Sequence, residues 1–399
     1  MSQAKQLKVG VIGAGFIAST AHLPSILKLG DRAELTAIAD NRPEALEHIK
    51  KYFPIPKTYT DPYEMLRENK FDVVHICTAN NTHKEFAIAA LRSGANVLCE
   101  KPLALTVKDA KEMFEEADRA GKKLIACQNN RMGPMQEVKK LIEDGVLGQV
   151  YYAEIENIRR RGVPAWGRFH VKEDNGGGPL CDVGVHYLDA TLFAVGNPKL
   201  VSVSASTFTK IADRGDASVD TMGAMTGDTP YLPRKDYDYH DFSVEDFASG
   251  IARFDNGMQI MLKFSWALNL PRNDGYKIVG DKAGLVYDKS SGAQNPITLY
   301  GAEGKHLSDE NLEIAIAKKG AMHDIGHEML IHHFADVLQN GEECVIKREE
   351  MLNVVAVMEA FYLSGQLGRE VTREELSDCR ENRPPLSGGE ERERSIGRT

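Results

Sequence analysis

Two stretches of the chain carry side chains suited to acid–base work. GGGPLCDVGVHYLD, residues 176–189, sets Asp182 and His186 four positions apart behind three glycines and a proline. If the pair shares a helix, both side chains project from one face, within reach of a single ligand. Histidine exchanges a proton near neutral pH without large tuning. CEKPLA, residues 99–104, supplies Lys101 directly before Pro102. The proline restricts Lys101 to extended conformations and so holds the direction of the chain. A base beside a fixed ammonium group is what removing a hydroxyl proton and stabilising the resulting alkoxide requires.

Each of these residues also has a plainer reading. Asp182 and His186 could be a helix-capping acid and a satisfied histidine, and that reading wins unless Lys101 joins them. Lys101 alone could be a surface lysine, and Asp189 a structural hydrogen-bond partner. D-x-x-x-H is also ligand-like spacing, with His332 and His333 downstream. No other element offers a matching pair, so no metal is expected.

The scaffold is legible in the hydrophobic pattern. Apolar runs at 7–12, 34–39, 73–77, 96–99 and 123–127 alternate with helical periodicity at 17–29, 42–52, 82–93 and 106–120. Such alternation predicts a doubly wound parallel sheet with helices on both faces, an α/β Rossmann arrangement over residues 1–130. Past residue 150 the segments 150–158, 201–208, 247–254, 259–267, 276–280 and 285–287 alternate in the manner of an antiparallel sheet. Helical patterns follow at 327–339 and 348–367. Residues 131–376 are thus expected to form an α+β domain with a mainly antiparallel open sheet. The long polar insertion at 209–245 includes Tyr237, Tyr239 and His240, which could belong to a lid. The charged, Pro/Gly-rich stretch 377–399 reads as a disordered tail.

The first strand leads into Gly13, Gly15 and Ala18 in a GxGxxA pattern, with Phe16 and Ile17 between them. Strand before, helix after and Asp40 closing the next strand make this a dinucleotide fingerprint. Gly13 permits the turn, and Gly15 lets the backbone approach a pyrophosphate at the helix N-terminus. The Asp40 carboxylate suits the ribose hydroxyls of NAD and would repel the extra phosphate of NADP; Arg42 softens that preference. NAD is therefore expected over NADP. Strand ends face the ligand in open α/β sheets, so Thr78, Asn80 and His83, together with Glu100, Lys101 and Pro102, are candidate cofactor contacts.

With these motifs assembled, the chain resembles the glucose–fructose oxidoreductase/inositol dehydrogenase/MocA (Gfo/Idh/MocA) family. The likeness rests on Gly13 through Ala18, Thr78-Ala79-Asn80-Asn81-Thr82-His83, Glu100-Lys101-Pro102 and Gly176 through Asp189, and runs from about residue 7 to about residue 372. One departure is Ala79, where the family pattern has proline. The resemblance implies a Rossmann domain followed by an α/β domain whose open sheet often carries an oligomer interface, as homodimer or homotetramer. It also implies nicotinamide-dependent oxidation of a secondary hydroxyl on a sugar, glycoside or cyclitol. Lys101, Asp182 and His186 match the family's catalytic trio, read as alkoxide stabiliser, substrate orienter and general base. The base assignment stays open between His186 and Lys101. Arg159, Arg161 and Trp166 are candidate substrate contacts, since guanidinium donors and an aromatic face suit a carbohydrate. The glycine run would let the chain pass close to a bound ring.

Bulk properties narrow the alternatives. The 399 residues are 42% hydrophobic and 27% charged, with net charge −9. That balance argues against nucleic acid as a partner. No apolar run is long enough to span a bilayer, and the first strand begins too early for a signal peptide. Six scattered cysteines without a CxxC pair read as reduced thiols in a cytoplasmic protein. Competing readings are an enzyme with tightly bound NAD, acting between two sugars or as a glycosidase, and a non-catalytic dinucleotide-binding regulator.

Overall fold

The computed structural model describes residues 5–164, 167–214, 237–293, 296–312 and 325–378. Trp166, the middle of the polar insertion and nearly all of the charged tail lie outside the described residues.

Six parallel strands form the first sheet: β1 (Leu7–Ile12), β2 (Ala33–Ala39), β3 (Thr58–Tyr59), β4 (Val73–Ile76), β5 (Asn96–Cys99) and β6 (Leu124–Ala126). Their order is β3-β2-β1-β4-β5-β6, so the sheet reverses direction of growth between β1 and β4, where a doubly wound sheet opens its ligand crevice. β4 and β6 are buried along their whole length, which is why they read as apolar runs, broken only by His75. The helix after β1 starts with a wide π turn, Ala18–His22, before regular α geometry over Leu23–Lys28.

The second sheet has nine strands. They are β7 (Val150–Ile158), β8 (Leu200–Phe208), β9 (Phe247–Phe254), β10 (Gln259–Ser265), β11 (Asn273–Gly280), β12 (Gly284–Asp288), β13 (Ile297–Glu303), β14 (His306–Asn311) and β15 (Val371–Thr372). The order is β14-β13-β12-β11-β7-β10-β9-β8-β15. Only the β7–β10 pair is parallel. β9 alternates buried and half-buried residues along its length, the mark of a sheet with one covered face. The long helix Arg348–Leu367 covers it, contributing Val354, Val357, Met358 and Phe361 to its core.

Two large apolar cores result. The one around the parallel sheet also takes Leu330, Ile331 and Phe334 from the helix Ile325–Gln339, so the chain returns to its first sheet after building its second. A small third cluster gathers Trp266, Ala267, Phe242, Val244 and Ala212. Among the described residues no helix is long and apolar enough to cross a membrane. The described cysteines are all free; Cys77, Cys99, Cys127 and Cys181 are buried.

Candidate active site between the two sheets

Lys101 leaves the end of β5 through a cis peptide bond to Pro102. Its ammonium group crosses to the second domain and donates to the Asp182 backbone carbonyl at 2.7 Å and to Asp182 Oδ1 at 3.3 Å. Both side chains are largely enclosed, with 13% and 15% of their area exposed. Asp182 Oδ2 accepts from the Trp266 indole at 3.1 Å. One carboxylate is thus held from two sides, by a cation of the first domain and an N–H of the second.

Asp182 sits in a wide π turn, Leu180–Gly184, that runs into the helix Val185–Ala194 carrying His186 in its first turn. Wide turns of this type re-aim side chains and recur at functional sites. Gly184 lies where a Cβ would press on Phe264 of β10, so the helix packs flat against the strand. The glycine run does a different job from the one expected. Gly176, Gly177 and Gly178 face Leu105, Tyr362 and the Glu245 backbone, each closer than a side chain allows. The space they leave is filled by protein, not reserved for a ligand ring. Buried Glu245 then holds the run, accepting from the Gly178 amide at 2.9 Å and from the Tyr362 hydroxyl at 2.9 Å.

The helix bearing His186 is anchored by an ion cluster. Asp189 takes two hydrogen bonds from the Arg131 guanidinium, both at 2.6 Å. Arg131 also pairs with Glu350 of the long helix. Arg131 and Asp189 are completely buried. The structural reading of Asp189 is the one this geometry supports.

On the cofactor side, Gly13 adopts φ of +100°, and a Cβ there would lie 2.5 Å from the Cys77 carbonyl oxygen. A Cβ on Gly15 would meet nothing within 4 Å, so the backbone there is bare toward the crevice. Asp40 Oδ2 accepts from the Ala14 amide at 2.8 Å, and Arg42 grips the same carboxylate at 2.9 and 3.0 Å. Burial pushes the Asp40 carboxyl up, but Arg42 and the Ala14 amide outweigh it and hold it below its ordinary value. The turn, the bare approach and the ionised acid fit a dinucleotide. Gly13→Ala is expected to weaken NAD binding about ten-fold, because φ strain on the order of 1–3 kcal/mol and the clash with the Cys77 carbonyl displace the loop; titrating NAD by calorimetry measures this.

Other expected cofactor contacts are placed differently. His83 is buried and bridges the Pro102 and Thr78 carbonyls at 2.8 and 3.2 Å, tying two strand-end loops together. Asn80 donates to the Asn175 side chain at 2.7 Å, just ahead of the glycines. Glu100 turns inward to His22 and His327. Arg159 donates to Asn157 and to the Gly162 carbonyl. Burial lowers its guanidinium from the ordinary value, while the Asp182 charge nearby opposes that. Arg161 is engaged by Asn269. Tyr237 caps the Ala212 carbonyl and His240 pairs with Asp238 on the surface. Trp266 was missed in the sequence. Its signal was an indole at the end of an alternating strand, buried and needing a partner for its N–H.

A parallel Rossmann sheet followed by a largely antiparallel sheet, with Lys101 of the first domain on Asp182 of the second, is the architecture of a two-domain, dinucleotide-dependent oxidoreductase. The chain belongs to the Gfo/Idh/MocA family: residues 7–127 match its "Oxidoreductase family, NAD-binding Rossmann fold" model and residues 135–286 its C-terminal domain. The matched model is that of an NAD-binding oxidoreductase, and named relatives are sugar and inositol dehydrogenases. The chain is 32% identical over 370 residues to D-glucoside 3-dehydrogenase of Escherichia coli, covering 92% of this chain and 97% of that one. It is also 32% identical over 191 residues to myo-inositol 2-dehydrogenase of Thermotoga maritima, covering 48% of this chain and 55% of that one. Among solved structures, levoglucosan dehydrogenase in complex with NADH and levoglucosan superposes with a TM-score of 0.73 at 20% identity, over 92% of this chain and 99% of that one.

Proposed function

We propose that this enzyme oxidises a secondary hydroxyl of a pyranoside, with Lys101, Asp182 and His186 as the reacting site. The observation that carries the reading is the Lys101–Asp182 contact, which joins a residue of the NAD domain to the second domain's motif. When bound, NAD supplies the hydride acceptor. His186 takes the hydroxyl proton, Lys101 donates to the oxygen as negative charge develops on it, and Asp182 accepts from a neighbouring hydroxyl while keeping Lys101 aimed. Arg159, half-buried near Asp182, is suited to a further substrate oxygen. Residues 1–130 bind the cofactor and 131–376 the substrate. The glucoside-oxidising relative supports a glucoside over a cyclitol.

The experiment is a panel of alkyl and aryl glucosides, free aldoses and inositols, followed by NADH absorbance with NAD and with NADP. Turnover of glucosides with NAD supports the reading; inositol turnover alone would overturn the pyranoside assignment. Trp266→Phe keeps the ring and removes the donor to Asp182. We expect kcat/KM to fall about ten-fold, chiefly in kcat, for one lost hydrogen bond to a charged group.

The assembly we propose is a homodimer or homotetramer, in the cytoplasm. Tyr151, Val201, Phe208 and Tyr300 of the second sheet are exposed, and β14 is exposed along its whole length. Light scattering on purified protein tests this; a monomer at micromolar concentration would refute it.

A further inference from the structure

Behind the Lys101 loop lies a cluster that the reaction does not use. His22, Glu100, Cys127 and His327 are all buried, and their donor atoms lie within 4.8 Å of one another. They come from four separate segments: the π turn after the glycine loop, the end of β5, the end of β6 and the Ile325–Gln339 helix. The expectation of no metal rested on spacing along the chain, which cannot reveal ligands so scattered.

Three features distinguish this cluster from ordinary buried polarity. The His22 and His327 Nε2 atoms converge on one oxygen, Glu100 Oε1, at 2.7 and 3.2 Å. Each ring's other nitrogen has a partner of its own. His22 Nδ1 meets His75 Nδ1 at 2.9 Å, and His327 Nδ1 lies 3.0 Å from the Asn129 amide nitrogen. A half-turn of that amide puts its oxygen on the same ring nitrogen. With Nδ1–H donated outward on both rings, both Nε2 lone pairs point at the centre, the arrangement that second partners impose on metal-bound histidines. Cys127 then adds a sulfur. Two imidazoles, a carboxylate and a thiolate are the donor set of a borderline-soft divalent ion.

We propose that His22, Glu100, Cys127 and His327 bind one divalent ion of the zinc class, as a closed structural site. Tetrahedral zinc sets its ligand atoms roughly 3.3–3.8 Å apart, from bond lengths of about 2.0–2.3 Å, so shifts of about an ångström or less complete the geometry. Four protein ligands leave no open position for chemistry. The ion would fasten the Ile325–Gln339 helix to the parallel sheet and fix the base of the strand end that presents Lys101. Binding releases the Cys127 proton to solvent and involves no change of oxidation state. The site stands independently of the pyranoside assignment.

The test uses untagged full-length protein from cobalt-supplemented minimal medium, purified through chelator-treated buffers. Wild type is expected to carry one ion per chain by elemental analysis. It should show tetrahedral ligand-field absorption together with a near-ultraviolet thiolate-to-cobalt band. Cys127→Ser should lose the thiolate band, and His327→Gln should lose most of the metal. Folded wild type with substantially less than one ion per chain overturns the proposal without recourse to any variant. So does bound cobalt without the thiolate band, which would mean surface histidines only.

Discussion

Lys101→Ala is expected to lower kcat by about 10³-fold, the usual worth of a donor aimed at developing negative charge, while the NAD dissociation constant stays within a few-fold. Steady-state NADH absorbance and NAD calorimetry on the same preparation separate the two effects. The split follows from geometry, because the ammonium group is engaged by Asp182 of the second domain. The variant also removes one of the two side-chain donors that hold the Asp182 carboxylate among the described residues, so some loss will come from a less well aimed carboxylate. Equal loss of NAD affinity and turnover would instead make Lys101 a strut of the Rossmann domain. Lys101→Arg is not expected to rescue, since the planar guanidinium cannot place a single donor where the ammonium sits.

The second large effect lies away from the chemistry. Arg131→Met strips the partner from Asp189, which has no exposed side-chain area, and from Glu350, which has 18%. Breaking one member of a buried ion cluster costs about 3–5 kcal/mol, because the remaining charge is stranded without water. We expect the denaturant midpoint to fall accordingly, read by tryptophan fluorescence. Combining Arg131→Met with Asp189→Leu should recover most of the loss, because an apolar replacement removes the stranded charge as well. Failure to recover would show that Arg131 acts mainly through its packing over Phe193.

Much of the architecture was legible because hydrophobic period and burial agree. The parallel strands are buried on both faces and read as runs; β9 is covered on one face and reads as alternation. β14 was invisible because it is exposed throughout, leaving no period to detect. β3, at two residues, is too short to show one. The site was half legible. Lys101, Asp182 and His186 carry local signatures, and the structure brings Lys101 and Asp182 together. Trp266 did not stand out, because its role depends on Asp182, 84 positions away. Glu100 was misjudged in orientation for the same reason: its partners lie 78 and 227 positions distant. The glycine run advertised close approach correctly, but what approaches is Leu105, Tyr362 and Glu245.

The return of the Ile325–Gln339 helix to the first core has a consequence for how the molecule is born. A ribosome releases the parallel sheet long before it makes Leu330, Ile331 and Phe334, which complete that sheet's apolar packing. Domains generally fold in the order they emerge, and exposed apolar surface on an unfinished one invites association. Here the first domain to emerge is the last to be sealed. The nascent chain must carry an open apolar flank through synthesis of the entire second sheet, and closing it joins segments some three hundred residues apart, a slow step on loop-entropy grounds.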